Sequence, residues 1–356
     1  MKERFKSITV TGQIKIRLDS ERVWVAKKAA ILGAIVKVCE QYQEEGYRLT
    51  LRQLYYQLVA KDYIPNHDKV YKKLSSLKDD AVYAGLVDWE IFEDRGRIPH
   101  RAYFENDVKD AFKRTLNQYR LNRQKGQPKH IEVWTEKDAI SDILSRVTHP
   151  LTVHLVVNKG YSSSTAMYMA YKRFVKAIKN GKKVTILYFG DHDPSGLDMV
   201  RDIRDRIVFF LKEGKRVDFD LLNDWIGSDE GEDFYSDNQG DPKYWFYDED
   251  YGQENFDWDL AFCKAHFTIK HIGLTMEQIN QYNPPPNPAK ITDPRAKHYI
   301  AKYGQVSWEV DALSPAIMTD IVSNALSSEM DHDIYDSLIE REESEQAQIK
   351  KIIEKL

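Results

Sequence analysis

The sequence predicts an α/β protein, with a helical front domain followed by a parallel sheet covered by helices. Up to about residue 85 the apolar residues recur at helical spacing, with turn signals between the runs. From His130 onward short strand-like runs alternate with helical runs, the pattern of a parallel sheet. The composition agrees: 356 residues, 42% hydrophobic and 30% charged, make a chain of two or three domains with a sizeable core.

Residues 1–22 alternate loosely through Ile8, Val10, Ile14 and Ile16 and read as an arm or a short strand. Over 21–47, Val25, Ala29, Leu32, Ile35, Val36 and Cys39 give a helical stripe that Gly46 should stop. Thr50 is the expected N-cap of a second helix over 51–60. A turn at Tyr63-Ile64-Pro65-Asn66 leads to a third helix over 68–84, closed by Gly85. Residues 86–92 then read as a strand turning at Asp94-Arg95-Gly96. Three helices and a β wing, within 23–119, make a winged-helix pattern, a helix-turn-helix variant used on DNA and also as a protein-binding module.

Residues 120–129 are basic and polar and read as a linker. Strands are expected over 130–135, 152–158 and 183–190, each followed by a helix, the third over 197–213 with Gly214 as its stop. Residues 218–259 should be an insertion before a strand around 268–272. They are either a packed subdomain with an acidic face or a gate that competes with DNA for the front domain. The Pro284-Pro285-Pro286-Asn287-Pro288 run reads as a rigid connector, and 314–356 as terminal helices.

Charge is uneven. Residues 1–130 hold 26 Lys+Arg against 17 Asp+Glu, a balance of +9, whereas 218–259 hold 15 acids and Lys243 alone, a balance of −14. A basic front suits an anionic partner, although both regions are equally readable as solvated surface. Two cysteines, Cys39 and Cys263, cannot form a zinc site by themselves or a disulfide framework. The start carries Lys2, Glu3, Arg4 and Lys6 with no apolar signal core behind, and no apolar run is long enough to span a bilayer. The expectation is a cytoplasmic, nucleoid-associated protein without a membrane partner.

Two expected strands end in acids. The first runs into Glu136-Lys137-Asp138-Ala139 and the third into Asp191-His192-Asp193-Pro194-Ser195-Gly196. Open parallel sheets bind ligands beyond their carboxyl ends, so Glu136, Asp191 and Asp193 are candidates to converge there as hard oxygen ligands for Mg²⁺. The plain alternative is that they are helix N-terminal acids, favoured by the helix dipole.

These motifs resemble the Toprim domain of topoisomerases, primases and related nucleases. Within that group they look most like the A subunit of type IIB topoisomerase VI and the related meiotic double-strand-break protein. That family carries a catalytic tyrosine on a winged-helix domain in a pattern of Arg, acid, aliphatic, aromatic, Tyr. Arg52-Gln53-Leu54-Tyr55-Tyr56 is similar, with Gln53 where the family has the acid. The resemblance extends over about 25–210 and again near His271-Ile272-Gly273-Leu274-Thr275, which looks like the closing strand of a Rossmann-like Toprim sheet over 130–313.

The resemblance implies that Tyr56 is the nucleophile, forming a 5′-phosphotyrosine double-strand break in duplex DNA. Arg52 would hold the scissile phosphate, and Mg²⁺ at Glu136, Asp191 and Asp193 would stabilise the developing charge, with Glu136 exchanging a proton with the 3′ oxygen. It also implies a homodimer in which tyrosine and metal come from different subunits, and a separate GHKL-type ATPase B subunit, since no Gly-x-x-x-x-Gly-Lys-Ser/Thr loop is present. A compact orphan form from a mobile element fits the same pattern.

Arg95, Arg97 and Arg101 at the expected wing tip are DNA-backbone candidates. Lys159, in Asn158-Lys159-Gly160-Tyr161-Ser162-Ser163-Ser164, belongs either to a phosphate-binding helix start or to a serine-rich N-cap. Lys172, Arg173, Lys176 and Lys179 read as a solvated face, and His192 as facing solvent or standing behind the metal ligands. Of Tyr55 and Tyr56, adjacent on one helix and about 100° apart, Tyr55 is the one expected in the core. Two other functions stay open: a Toprim metal-dependent nuclease that hydrolyses DNA with water, in defence or on a mobile element, and a non-catalytic DNA-binding dimer.

Overall fold

A computed structural model describes residues 9–93, 104–158, 163–213, 219–248, 252–289, 293 and 295–355. Strands β1 (Gln13–Arg17) and β2 (Val23–Lys27) pair as an antiparallel hairpin, and α1 (Lys28–Glu44) begins directly after it. The first helix therefore starts seven residues later than its stripe suggests, at Lys28 rather than 21. In Val23-Trp24-Val25-Ala26 the valines are exposed while Trp24 and Ala26 pack on the core. Period two with β-branched residues prevails there over the helical reading.

Helices α2 (Leu51–Ala60) and α3 (Asp68–Tyr83) follow close to their expected positions. Thr50 caps α2 as expected, through a capping box: its Oγ1 accepts from Gln53 N at 3.2 Å, and the Gln53 side chain accepts from Thr50 N at 2.8 Å. Gln53 is thus a buried capping residue. Leu32, Ile35, Leu54, Leu58, Leu74 and Leu77 form the core of the three helices.

The expected strand over 86–92 is a correction. Asp88 accepts from Glu90 N at 2.9 Å and starts a short 3-10 turn, Trp89–Ile91, after which Phe92 makes one isolated bridge to Leu49. Val87 and Ile91 are buried while Trp89 is 60% exposed, so the chain is anchored at two points and bulges between them. Helix α4 (Val108–Gln118) leads on.

Residues 120–129 are packed, which corrects their reading as a linker. Gln124 acts as an extra rung beside the sheet: its Oε1 accepts from Ile131 N at 2.8 Å and its Nε2 donates to Ile131 O at 3.2 Å. Arg123, buried, pairs with Glu342 at 2.7 Å.

The remaining elements in order are β3 (Lys129–Thr135), a 3-10 turn Asp138–Ile140, α5 (Ser141–Thr148), β4 (His154–Val157) and α6 (Ser164–Lys179). Then come β5 (Lys183–Phe189), α7 (Pro194–Glu213), α8 (Phe219–Ile226), α9 (Asp229–Asn238) and a hairpin of β6 (Trp245–Asp248) with β7 (Gln253–Phe256). The chain continues through α10 (Trp258–His266), β8 (Phe267–Gly273), α11 (Met276–Tyr282), β9 (Asn287–Pro288), α12 (Ala296–Tyr303) and β10 (Val306–Ser307). A 3-10 turn Val310–Ala312, α13 (Pro315–Ser327) and α14 (His332–Ile353) complete it.

The molecule is mixed α/β around a four-stranded, all-parallel sheet of order β4-β3-β5-β8. Alternate side chains serve opposite faces. Trp134, Ile186 and Tyr188 pack with α6, α7 and α10, whereas Val133, Leu187 and Phe189 pack with α5 and α13. The acidic segment is a packed subdomain: Trp225, Tyr244 and Phe256 are buried in the first of these cores, and Tyr235 stacks on Trp258 at 5.4 Å. The proline-rich connector is also tied down, because Asn287–Pro288 pairs with Val306–Ser307.

The turn Val310–Ala312 joins front domain and sheet. Val310 is buried with the sheet and Ala312 with the three front helices. Gln57 of α2 donates to the carbonyls of Ala312 and Leu313, both at 3.3 Å. This contact sets the helix that carries Arg52 and Tyr56 over the carboxyl end of the sheet.

Candidate active site

Strands β3 and β5 are neighbours, with Trp134 opposite Tyr188, so their chains leave the sheet side by side. Glu136 follows the first and Asp191 and Asp193 the second, and all three line one cleft of about 800 Å³ with Arg52, Tyr56 and Glu309. The turn between the two aspartates is tight. A Cβ on Gly196 would come 2.2 Å from the Asp191 carbonyl oxygen, so only glycine lets α7 start so close.

Two cations are held among the acids. Lys137 Nζ lies 2.8 Å from Asp191 Oδ2, 2.8 Å from Glu309 Oε2 and 3.8 Å from Asp311 Oδ1. Arg52 Nε donates to Asp311 Oδ2 at 2.9 Å, and Arg52 Nη2 pairs with Glu309 Oε2. Burial disfavours the Lys137 ammonium, but Asp191, Asp311 and Glu309 outweigh it and keep the group charged. Glu309 is likewise penalised by burial, yet Lys137 and Arg52 hold its carboxyl down to about 2. Asp311 is fully enclosed and Asp191 nearly so on the cleft wall, and burial raises both despite Lys137.

Tyr55 and Tyr56 are similarly buried, at 5% and 7%, but their hydroxyls differ. Tyr55 OH donates to Asn66 Oδ1 at 2.9 Å and accepts from His67 N at 2.6 Å, and burial pushes it up to about 12. Among the described residues Tyr56 OH receives a single long contact, from Asn287 Nδ2 at 3.4 Å. Arg52 lies over its ring at 5.6 Å. Burial first, and Glu309 second, raise the Tyr56 phenol, while Arg52 opposes them. Tyr55 is thus the better anchored of the two, and Tyr56 has the less engaged hydroxyl.

The resemblance implies that tyrosine and acids meet across a dimer. Here one chain brings Tyr56, Glu136, Asp191 and Asp193 to the same cleft. The donors of Glu136, Asp191 and Asp193 are all carboxylate oxygens, the chemistry a hard divalent cation prefers. Asp311 Oδ1, buried without a hydrogen-bond partner among the described residues, faces the Lys137 ammonium at 3.8 Å. Among the described residues no three His, Cys, Asp or Glu stand close enough to grip an ion as placed. Asp193 Oδ1 is used in capping α7, accepting from Gly196 N at 2.6 Å and Ser195 Oγ at 2.8 Å, and Asp191 Oδ1 accepts from Val310 N at 2.9 Å. Asp191 Oδ2 is occupied by Lys137 at 2.8 Å, so an ion there would have to displace that ammonium, while Asp193 keeps its second oxygen toward the cleft.

Other expected residues fall elsewhere. Arg95, Arg97, Arg101 and Lys159 lie outside the described residues. Ser163 caps α6, accepting from Ala166 N at 3.1 Å. Arg173 is not on a solvated face: it grips buried Glu132 with two bonds of 2.7 and 2.9 Å. Nor does His192 face solvent, being buried with Nδ1 2.8 Å from Tyr299 OH.

Sequence reasoning missed the roles of Glu309, Asp311 and Asn287. Asp and Glu at alternate positions after Trp308, bracketed by strand-like residues, were the available signal. Nothing local ties them to Arg52, which is more than 250 residues away. Among the described residues no helix is long and apolar enough to cross a membrane.

No protein-family model matches the chain, and no curated protein matches it.

Proposed function

We propose that this protein is a topoisomerase VI A-like enzyme, a winged-helix domain on a Toprim domain, that cuts duplex DNA by transesterification at Tyr56. The observation that carries the reading is that Arg52, Tyr56, Glu136, Asp191 and Asp193 line one cleft. They come from a front helix and two strand ends.

In this reading Tyr56 gives its phenolic proton to solvent as its Oη attacks phosphorus, the bond to the 3′ oxygen breaks, and Glu136 in its protonated form gives a proton to that oxygen. Arg52 orients the phosphate with its guanidinium edge. Glu136, Asp191 and Asp193 would hold Mg²⁺, which when bound would supply charge stabilisation at the phosphate and the leaving oxygen. The basic front domain would contact the backbone of the duplex. A homodimer on duplex DNA, with an ATPase partner, belongs to the same reading.

A second reading, hydrolysis by water with Tyr56 structural, draws support from the buried Tyr56 phenol beside Glu309, where ionisation is disfavoured. One experiment separates the two. Wild type is incubated with duplex DNA and Mg²⁺ and quenched with denaturant. The first reading expects protein joined to each 5′ end, an adduct lost in Tyr56→Phe and kept in Tyr55→Phe. Free 5′ ends, with cutting that persists in Tyr56→Phe, give the hydrolase. Asp191→Asn and Asp193→Asn should abolish Mg²⁺-dependent cutting in either case, and undiminished cutting by both removes the metal assignment.

A further inference from the structure

We infer that Arg52 and Lys137 form a phosphate-binding pair that Glu309, a residue of the same chain, fills at rest. The inference rests on the reading that a phosphodiester enters this cleft.

A single oxygen, Glu309 Oε2, meets both Arg52 Nη2 and Lys137 Nζ, the latter at 2.8 Å. The two cations are fixed from behind by other groups. Asp311, enclosed in the joint between the domains, holds Arg52 Nε at 2.9 Å, and Asp191 holds Lys137 at 2.8 Å. Glu309 is therefore not needed to position either one. It fills the space between them, and its side chain is 22% exposed on the cleft wall. Among the described residues its other oxygen receives only a long contact, from Asn287 Nδ2 at 3.4 Å.

A guanidinium edge beside an ammonium, both aimed at one oxygen, is the donor arrangement that recognises a phosphate oxygen. Carboxylate and phosphodiester oxygens compete for the same such donors. Turning Glu309 toward solvent would open the position without disturbing the fixed cations. The ligand class is a phosphodiester oxyanion, and the carboxylate acts as its internal substitute. The same Asn287 that touches Glu309 also touches Tyr56 OH, so the phosphate position adjoins the phenol.

The test is equilibrium binding of a short DNA duplex in EDTA, at fixed salt, by fluorescence anisotropy. Glu309→Gln keeps the shape and removes the charge. It should bind at least about tenfold tighter than wild type. Asp68→Asn removes the same charge from another wall of the cleft and should gain less than about threefold by general electrostatics. Adding Arg52→Met to Glu309→Gln should cancel the gain. Glu309→Ala should repeat the result, and thermal melting checks that each variant is folded. Duplex binding that is unchanged in Glu309→Gln, absent in all forms, or raised no more than by Asp68→Asn overturns the proposal. The cleavage reading fails separately, by the absence of a Tyr56 adduct, and that outcome leaves a Glu309-dependent gain in binding intact.

Discussion

Lys137 sets its ammonium 2.8 Å from Asp191 Oδ2, although the two residues follow different strands of the sheet. Two parallel neighbours bring them together, and burial makes the pairing consequential. Removing one partner of such a pair leaves the other charge uncompensated, which costs far more than the pair itself contributes.

Lys137→Met should therefore lose about 3–5 kcal/mol of stability in urea unfolding. Mg²⁺ should then raise its melting temperature more than that of wild type, because the ion takes over the charge balance at Asp191. Equal shifts in the two proteins would show that no ion reaches this position.

The two neighbouring tyrosines should separate in stability as well as activity. Tyr55→Phe loses bonds to Asn66 and His67, and should cost about 1–3 kcal/mol. Among the described residues Tyr56→Phe gives up only the long Asn287 contact, and it should cost less than about 1 kcal/mol. Chemical denaturation of both variants checks the order, and a larger loss for Tyr56→Phe would contradict the assigned hydrogen bonds.

Glu132, buried in the sheet core, is paired by Arg173, whose side chain is 33% exposed. Glu132 also accepts from Trp134 Nε1 at 2.9 Å, and Arg173 and His130 overcome its burial to hold its carboxyl at about 2. Arg173→Met should destabilise by about 3 kcal/mol, with part of the loss recovered in Arg173→Met/Glu132→Gln. A double-mutant cycle with no coupling would sink this assignment.

The pH profile has a component from His271. Burial lowers this imidazole to about 4, and its Nε2 is buried without a hydrogen-bond partner. The unfolded chain takes up the proton near 6.5, whereas the folded one resists until about 4. Stability from this group is complete above 6.5 and is lost as pH falls from there toward 4, by up to about 3 kcal/mol. His271→Phe, stacked on Tyr188 as His271 is, should flatten that part of the curve. A wild-type slope that survives the substitution points to another group.

Much of the architecture is legible in the sequence, because local rules act locally. The cap at Thr50, the helix stops at Gly46 and Gly85, and the strand-helix alternation after His130 each depend on a few adjacent residues. The strand ends that carry Glu136 and Asp191 follow from the same alternation, since parallel strands put their carboxyl ends on one side. Where local signals compete, the sequence alone misleads. Val23 to Lys27 reads equally as helix, and only pairing with β1 makes it a strand. Residues 120–129 look like a polar linker until Gln124 finds the edge of the sheet and Arg123 finds Glu342.

The tertiary structure alone decided what each charged side chain faces. The sequence placed Arg52, Tyr56 and the Glu136, Asp191 and Asp193 carboxylates on suitable elements and supplied the chemistry they share. It carried no sign that Glu309 and Asp311 would close on Arg52 and Lys137, or that Arg173 would turn inward to Glu132. Periodicity and capping record which face of a helix or strand is buried. The partner of an ion is set by which distant loops the topology brings within a few ångströms, and that depends on the whole fold.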